Sequence, residues 1–153
     1  MKLATLGLIL LMAYSCKTKQ IENIKEAEMP YLTFTSGGGF AGTYTTYVLL
    51  ENGQIFKQKQ NVETAKAVGN IDKDQASQIF ANYQFLNMDE VDQVSYGNYT
   101  YSIVKTENGA DHKIMWEKDQ AGAEVYQIFY KNAMAVISQS RESFKPDTPS
   151  KKR

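Results

Sequence analysis

Two Asn-Gly dipeptides, Asn52-Gly53 and Asn108-Gly109, each stand between strand-forming runs, and each such unit is followed by a run with helical spacing. Asn-Gly is the strongest short hairpin signal because both residues tolerate the positive φ angles that a two-residue turn demands. The first joins Thr43-Tyr44-Thr45-Thr46-Tyr47-Val48-Leu49-Leu50 to Gln54-Ile55-Phe56-Lys57-Gln58-Lys59-Gln60. The second joins Tyr99-Thr100-Tyr101-Ser102-Ile103-Val104-Lys105-Thr106 to His112-Lys113-Ile114-Met115-Trp116-Glu117. β-branched and aromatic residues dominate these runs, so each pair reads as an antiparallel hairpin. The alternating stretch Tyr31-Leu32-Thr33-Phe34-Thr35 adds a strand, and residues 66–71 offer another short one.

Helical spacing appears twice. Asp72 stands where an N-cap belongs and Gln75 completes a capping-box spacing, after which Ala76, Ile79, Phe80, Tyr83 and Leu86 recur every three or four residues. From about residue 121 to 143, Val125, Ile128, Phe129, Ala133, Val136 and Ile137 form a stripe, with Lys131, Gln139 and Arg141 off it. Strands run in hairpins and the helices follow them. This order predicts an α+β fold, an antiparallel sheet of about four to six strands with two amphipathic helices on one face, over a doubly wound parallel one.

The N-terminus reads differently. Lys2 precedes an apolar run from Leu3 to Ala13, then Tyr14, Ser15 and Cys16. That run is too short to span a bilayer as a helix, which needs about 20 residues, but it matches a secretory leader. Small residues Ala13 and Ser15 just ahead of the chain's one cysteine make a lipobox-like exit, so residues 1–15 are expected to be a lipoprotein signal peptide and Cys16 the lipidated residue. Met12 and Tyr14 depart from the commonest lipobox. Residues 16–29 read as the lipidated cysteine with a flexible tether, whose thirteen residues after Cys16 give an end-to-end distance of roughly 20 Å. Residues 30–144 form the single domain, and residues 145–153, with Pro146, Pro149 and a Lys151-Lys152-Arg153 end, a disordered basic tail.

Charge narrows the partners. The 153 residues carry 17 Lys+Arg and 17 Asp+Glu, which excludes a nucleic-acid binder working through bulk positive charge. Loss of Lys2 with the leader leaves 16 basic against 17 acidic side chains, so the expected membrane attachment is through the lipid on Cys16 rather than through electrostatic adhesion. A lone cysteine permits neither an intrachain disulfide nor a multi-cysteine zinc site. No acidic run follows Cys16, which favours the periplasmic face of the outer membrane.

Chemistry-bearing patterns are few. Ser36-Gly37-Gly38-Gly39-Phe40-Ala41-Gly42 places three consecutive glycines between two strands. Gly-Lys-Ser/Thr does not follow, as a phosphate loop requires, and a strand rather than a helix comes next, so neither nucleotide pattern fits and no cofactor is expected. The stretch is a tight strand connection or a ligand cradle of backbone amides. His112 is the only histidine; Asp111, Glu117 and Asp119 are near in sequence but lack a spacing that forces convergence on a metal. No Gly-x-Ser-x-Gly elbow occurs. The run Tyr96-Gly97-Asn98-Tyr99-Thr100-Tyr101, with Tyr44, Tyr47 and Trp116, concentrates aromatic side chains in a way that suits either recognition or core packing. The acidic Asp89, Glu90 and Asp92 read as a solvated loop.

The lipobox, the segment from Thr35 to Gly42, Tyr47, Glu51-Asn52-Gly53, Tyr96-Gly97-Asn98 and the run from His112 to Trp116 together resemble a group of small Bacteroidota lipoproteins with no assigned activity. The resemblance implies a lineage and a compartment and no catalytic residues. The expected function is a membrane-anchored, non-catalytic binding or inhibitory module for an envelope protein or polymer. Its candidate binding residues are Ser36, Gly37, Gly38, Gly39, Phe40, Gly42, Tyr96, Asn98, Tyr99, His112 and Trp116. A periplasmic hydrolase or metal-dependent enzyme centred on His112, and an envelope scaffold docking through its terminal helix and tail, are the alternatives.

Overall fold

A computed structural model describes Ile24, residues 27–60 and residues 64–143, without the side chains of 141–143. The leader, Cys16, most of the expected tether and the C-terminal tail lie outside the described residues. Among the described residues the chain forms six strands and two α-helices: β1 (Tyr31–Gly38), β2 (Thr43–Leu50), β3 (Gln54–Lys59), β4 (Lys66–Asn70), α1 (Lys73–Phe85), β5 (Tyr99–Glu107), β6 (Ala110–Glu117) and α2 (Glu124–Ser143). A short 3-10 turn, Met88–Glu90, follows α1. The strands make one sheet in the order β4-β3-β2-β1-β5-β6, every named pair antiparallel. The α+β arrangement expected from the two hairpins is present.

Alternation decides which face is covered. Leu32 pairs with Leu49 and Lys105, and Phe34 pairs with Tyr47 and Ile103. Leu32, Phe34, Tyr47, Leu49 and Ile103, with Ile55, Ile114 and Trp116, face the helices and close a core with Ile79, Phe80 and Tyr83 of α1 and Phe129, Tyr130, Ala133 and Ile137 of α2. Complete burial of a large apolar side chain such as Phe34 or Ile103 contributes about 1.5–3 kcal/mol. α2 runs from the β6 side, where Tyr126 and Tyr130 meet Trp116, to β4, where Ser140 fills the space beside Gly69.

The opposite face is largely polar, with Thr33 and Thr46 on it and the Thr35 and Thr46 hydroxyls 3.0 Å apart. Its one apolar patch, Val48, Leu50 and Phe56, is covered by Ile24, Ala27 and Met29. The packed unit therefore begins a few residues ahead of Pro30. Residues 93–95 protect the outer edge of β6: Ser95 N–H donates to the Met115 carbonyl at 2.9 Å, and Met115 N–H to the Gln93 carbonyl at 2.8 Å.

Several local expectations need correction. Asp72 is the N-cap of α1, but its side chain makes no capping hydrogen bond, so the capping box is not formed. Leu86 ends up 38% exposed. Val125 and Ile128 point outward, 47% and 60% exposed; the buried stripe of α2 runs instead through Phe129, Tyr130, Ala133 and Ile137. The shift has a physical cause, because the helix turns its aromatic Tyr126 and Tyr130 toward the Trp116 end of the sheet.

The two Asn-Gly turns also differ. Asn108 and Gly109 both have positive φ, 52° and 77°, a two-residue primed turn. In the first, only Gly53 does, at 93°, following a Leu50 C=O···H–N Gly53 bond of 2.9 Å, and Gly53 sits against the carbonyl of Ile71, whose own N–H bonds to the Gly53 carbonyl at 2.9 Å. Gly109 has no neighbour where a Cβ would stand. Gly109→Ala is therefore expected to cost about 1 kcal/mol, the left-handed penalty alone, while Gly53→Ala costs about 3 kcal/mol or more because backbone must also shift. Denaturant midpoints of the two variants check this ordering, and equal losses would contradict it.

Candidate functional site

The expected binding residues gather at two places. Ser36, Gly37 and Gly38 end β1, and Gly39-Phe40-Ala41-Gly42 forms the connection to β2. β5 begins beside them, so Tyr96, Gly97, Asn98 and Tyr99 arrive at the same end of the sheet. Contact is intimate: the Gly39 N–H donates to the Asn98 carbonyl at 2.5 Å, and a Cβ on Gly38 would collide with that same oxygen. A Cβ on Gly37 would meet the Thr43 carbonyl and Tyr44, and one on Gly97 would meet Glu117. The Glu117 carboxylate accepts the Asn98 N–H at 3.4 Å.

Local hydrogen bonds hold the loop in one shape. Gly42 N–H donates to the Gly39 carbonyl at 3.0 Å. The Gln60 side chain then clamps the return strand, its amide N–H donating to the Gly42 carbonyl and its oxygen accepting the Tyr44 N–H, both at 3.0 Å. The amides of Gly39 and Gly42 are thus engaged within the protein. What the loop presents is the Phe40 side chain, fully exposed, with Tyr44 exposed at the start of β2 and Tyr96, 79% exposed, three residues ahead of β5 at the same end of the sheet.

Behind the loop the aromatics are inside. Trp116 is wholly buried. Its ring lies nearly parallel to Tyr101, with centroids 5.8 Å apart and 17° between planes, and Tyr130 stands edge-on to both at 5.2 and 6.0 Å. Tyr99 leans on Tyr101 at 5.3 Å. Ser36 hydrogen-bonds the Tyr130 hydroxyl, which ties β1 to α2. Burial pushes the Tyr130 phenol up to about 12, the Ser36 bond opposing it and neighbouring tyrosines adding to it. Tyr101 is raised too, first by burial, then by Tyr99 and Asp119. Sequence reasoning missed Tyr126 and Tyr130 as partners of Trp116. Their four-residue spacing beside the helix stripe was the signal available.

His112 stands apart, at the opposite end of β6, about four residues or roughly 13 Å from Trp116 along the strand. Both its ring nitrogens are engaged: Nε2 lies 3.1 Å from the Val91 carbonyl and Nδ1 2.9 Å from the Tyr83 hydroxyl. A carbonyl only accepts, so Nε2 donates to it, and in the neutral ring Nδ1 accepts the Tyr83 O–H. Tyr83 is itself wholly within the core, its phenol held well above the usual range by burial and then by the charge of Asp89.

Lys105, 10% exposed, completes this cluster, its ammonium 3.0 Å from both Asp89 and Glu107 and 5.6 Å from the Tyr83 ring centre. Burial pulls its pKa down, and the bonds from the two carboxylates more than offset this. Asp89, expected to be loop solvation, is the partner of a buried cation. Among the described residues no three His, Cys, Asp or Glu side chains converge on a common point.

No protein-family model and no curated protein matches the chain.

Two expectations follow. Tyr130 has a folded pKa above its unfolded value, so the stability it confers is complete below about pH 10 and is lost as pH rises towards 12. The loss amounts to about 2–3 kcal/mol, and thermal melts from pH 9 to 12 should show a fall that Tyr130→Phe partly flattens. His112→Ala strips the buried Tyr83 hydroxyl of its acceptor and should lower stability by about 1–3 kcal/mol; an unchanged Tm would contradict the bonded role.

Proposed function

We propose that this chain is a lipid-anchored envelope protein that works as a non-catalytic binding or inhibitory module. The anchor is Cys16, at the periplasmic face of the outer membrane, and the engaging surface is the loop at Phe40 with Tyr44 and Tyr96. The observation that carries the reading is a fully exposed phenylalanine on a loop whose shape is set by Asn98 and Gln60. A large aromatic held out on an already ordered loop offers apolar area for a partner to cover, and preorganisation lowers the entropy lost on binding. Aromatic anchors of this kind are the residues on which interface energy concentrates.

The layout suits an anchored protein. The chain enters β1 at Tyr31, and the loop leaves it at Gly38, roughly 25 Å further along the strand. Ile24, Ala27 and Met29 pack near the entry end, beside Leu50 and Val48, so an anchor ahead of them would hold the entry end towards the bilayer and the loop away from it. No helix among the described residues is long and apolar enough to cross a membrane. An enzyme built on His112 receives less support, since both imidazole nitrogens already serve Val91 and Tyr83.

A photo-crosslinking residue at position 40, in cells making the full-length protein, should give one dominant envelope adduct. The same probe at Lys73, on α1, should not give it. Phe40→Ser should weaken capture of that partner at least tenfold while leaving the Tm unchanged, because the side chain touches nothing in the fold. Equal crosslinking from both positions would sink the assignment of the surface.

A further inference from the structure

The tripeptide Glu-Asn-Gly occurs twice, at residues 51–53 and 107–109, and each copy turns the chain between two paired strands. Asn-Gly is also a dipeptide prone to a reaction with itself. Because glycine carries no side chain, its backbone nitrogen, once it loses its proton, can attack the carbonyl carbon of the asparagine side chain. The new C–N bond closes a five-membered imide and the side-chain nitrogen leaves as ammonia. Water then opens the ring at either carbonyl, which gives aspartate or isoaspartate. Nothing is oxidised or reduced, and water is the only co-reactant. Since the tripeptide is the same at both places, a difference in rate between them has to come from the fold.

The fold treats the two copies unequally. At the first, the Asn52 Nδ2–H donates to Gln54 Oε1 at 2.9 Å, and Asn52 Oδ1 accepts the Gln54 N–H at 3.0 Å. The nitrogen that would attack, that of Gly53, donates its proton to the Leu50 carbonyl at 2.9 Å, while the Gly53 carbonyl accepts the Ile71 N–H. Gly53 and Gln54 are buried. Reaction at Asn52 therefore requires several bonds to open together. At the second, residues 107–111 are all exposed except the ends of the strands that lead inward, and neither the Asn108 side chain nor the Gly109 N–H has a hydrogen-bond partner among the described residues. Gly109 has no neighbour within 4 Å of where a Cβ would stand. Ring closure there needs only the two turn residues to rotate, a local opening at the tip of a hairpin that breaks no tertiary contact of either residue.

We propose that Asn108 is a self-modification site, converted in the folded protein to isoaspartate and aspartate, while Asn52 is protected by its turn. The product places a third carboxylate between Glu107 and Asp111, at the end of the sheet where Tyr31 pairs with Thr106. The Phe40 loop lies at the other end, so the outcome of this test leaves the partner-binding reading untouched.

The sequence makes the measurement direct, because the tryptic peptides Glu26–Lys57 and Thr106–Lys113 each contain a single asparagine. Full-length protein is kept folded in detergent in mildly alkaline buffer, beside a sample unfolded in urea, and both are digested at intervals. Mass spectrometry follows the gain in mass as the amide becomes a carboxyl group, and enzymatic methylation identifies isoaspartate. In urea the two asparagines should convert at similar rates. In the folded protein Asn108 should convert at least about tenfold faster than Asn52, since each hydrogen bond that must open at Asn52 slows the reaction several-fold. Conversion of Asn52 as fast as Asn108 in the folded protein, or an Asn108 that stays intact while the urea sample converts, would overturn the proposal.

Discussion

β1 is paired along all eight of its residues on both sides, with β2 in a local hairpin and with β5 across more than sixty residues of chain. The second pairing carries a loop-closure cost that local contacts do not. It is met by burial, since Leu32 and Phe34 become fully enclosed only when β5 and the helices are in place. Gly37 and Gly38 extend this double ladder to its end: Thr43 and Tyr44 press on one and Asn98 on the other, where any side chain would hold the strands apart. The hairpin β5–β6, the aromatic corner under α2 and the placement of the loop all follow from that closure.

How much of this was legible depended on the range of the interaction. Hairpins and helices are local, and the alternation around Asn52-Gly53 and Asn108-Gly109 was enough to place four strands and their pairing. The same dipeptide nevertheless makes two turns, because Gly53 must also accommodate Ile71 from beyond β4, a contact that no local pattern encodes. Val125 and Ile128 satisfied the helical period yet lie outside, since the rotation of α2 is set by Tyr126 and Tyr130 seeking Trp116, not by the helix alone. Asp89 looked like loop solvation because its partner, Lys105, sits sixteen residues on, in a strand that shows its inward face only once the register is known.

The candidate residues read from the sequence fall into groups that the sequence did not separate. The glycine stretch and the Tyr96–Asn98 segment do meet, whereas His112 lies at the other end of β6 and is held by Tyr83 and Val91. Among the aromatics, composition cannot distinguish display from support. Trp116, Tyr101 and Tyr130 brace one another inside, while Phe40 and Tyr96 are turned out. That division gives the end of the sheet a braced base with an exposed tip, the kind of arrangement the proposed binding surface would need in order to keep its shape.

The same division determines which substitutions are informative about binding. Gly37 and Gly38 are closure points of the ladder, so bulk introduced there strains the pairing of β1 with its neighbours, and any loss of binding would be indistinguishable from a loss of fold, whereas a Cβ on Gly97 would displace only the Glu117 side chain. Gly39 has open space around its Cα but a φ of 70°, so a side chain there strains the turn that aims Phe40. Phe40 has neither constraint: it is fully exposed, and the hydrogen bonds that shape the loop run through its neighbours' backbones and through Gln60. Its apolar surface contributes nothing to the packing of this domain, so a substitution at this one position reads the proposed binding without disturbing the fold.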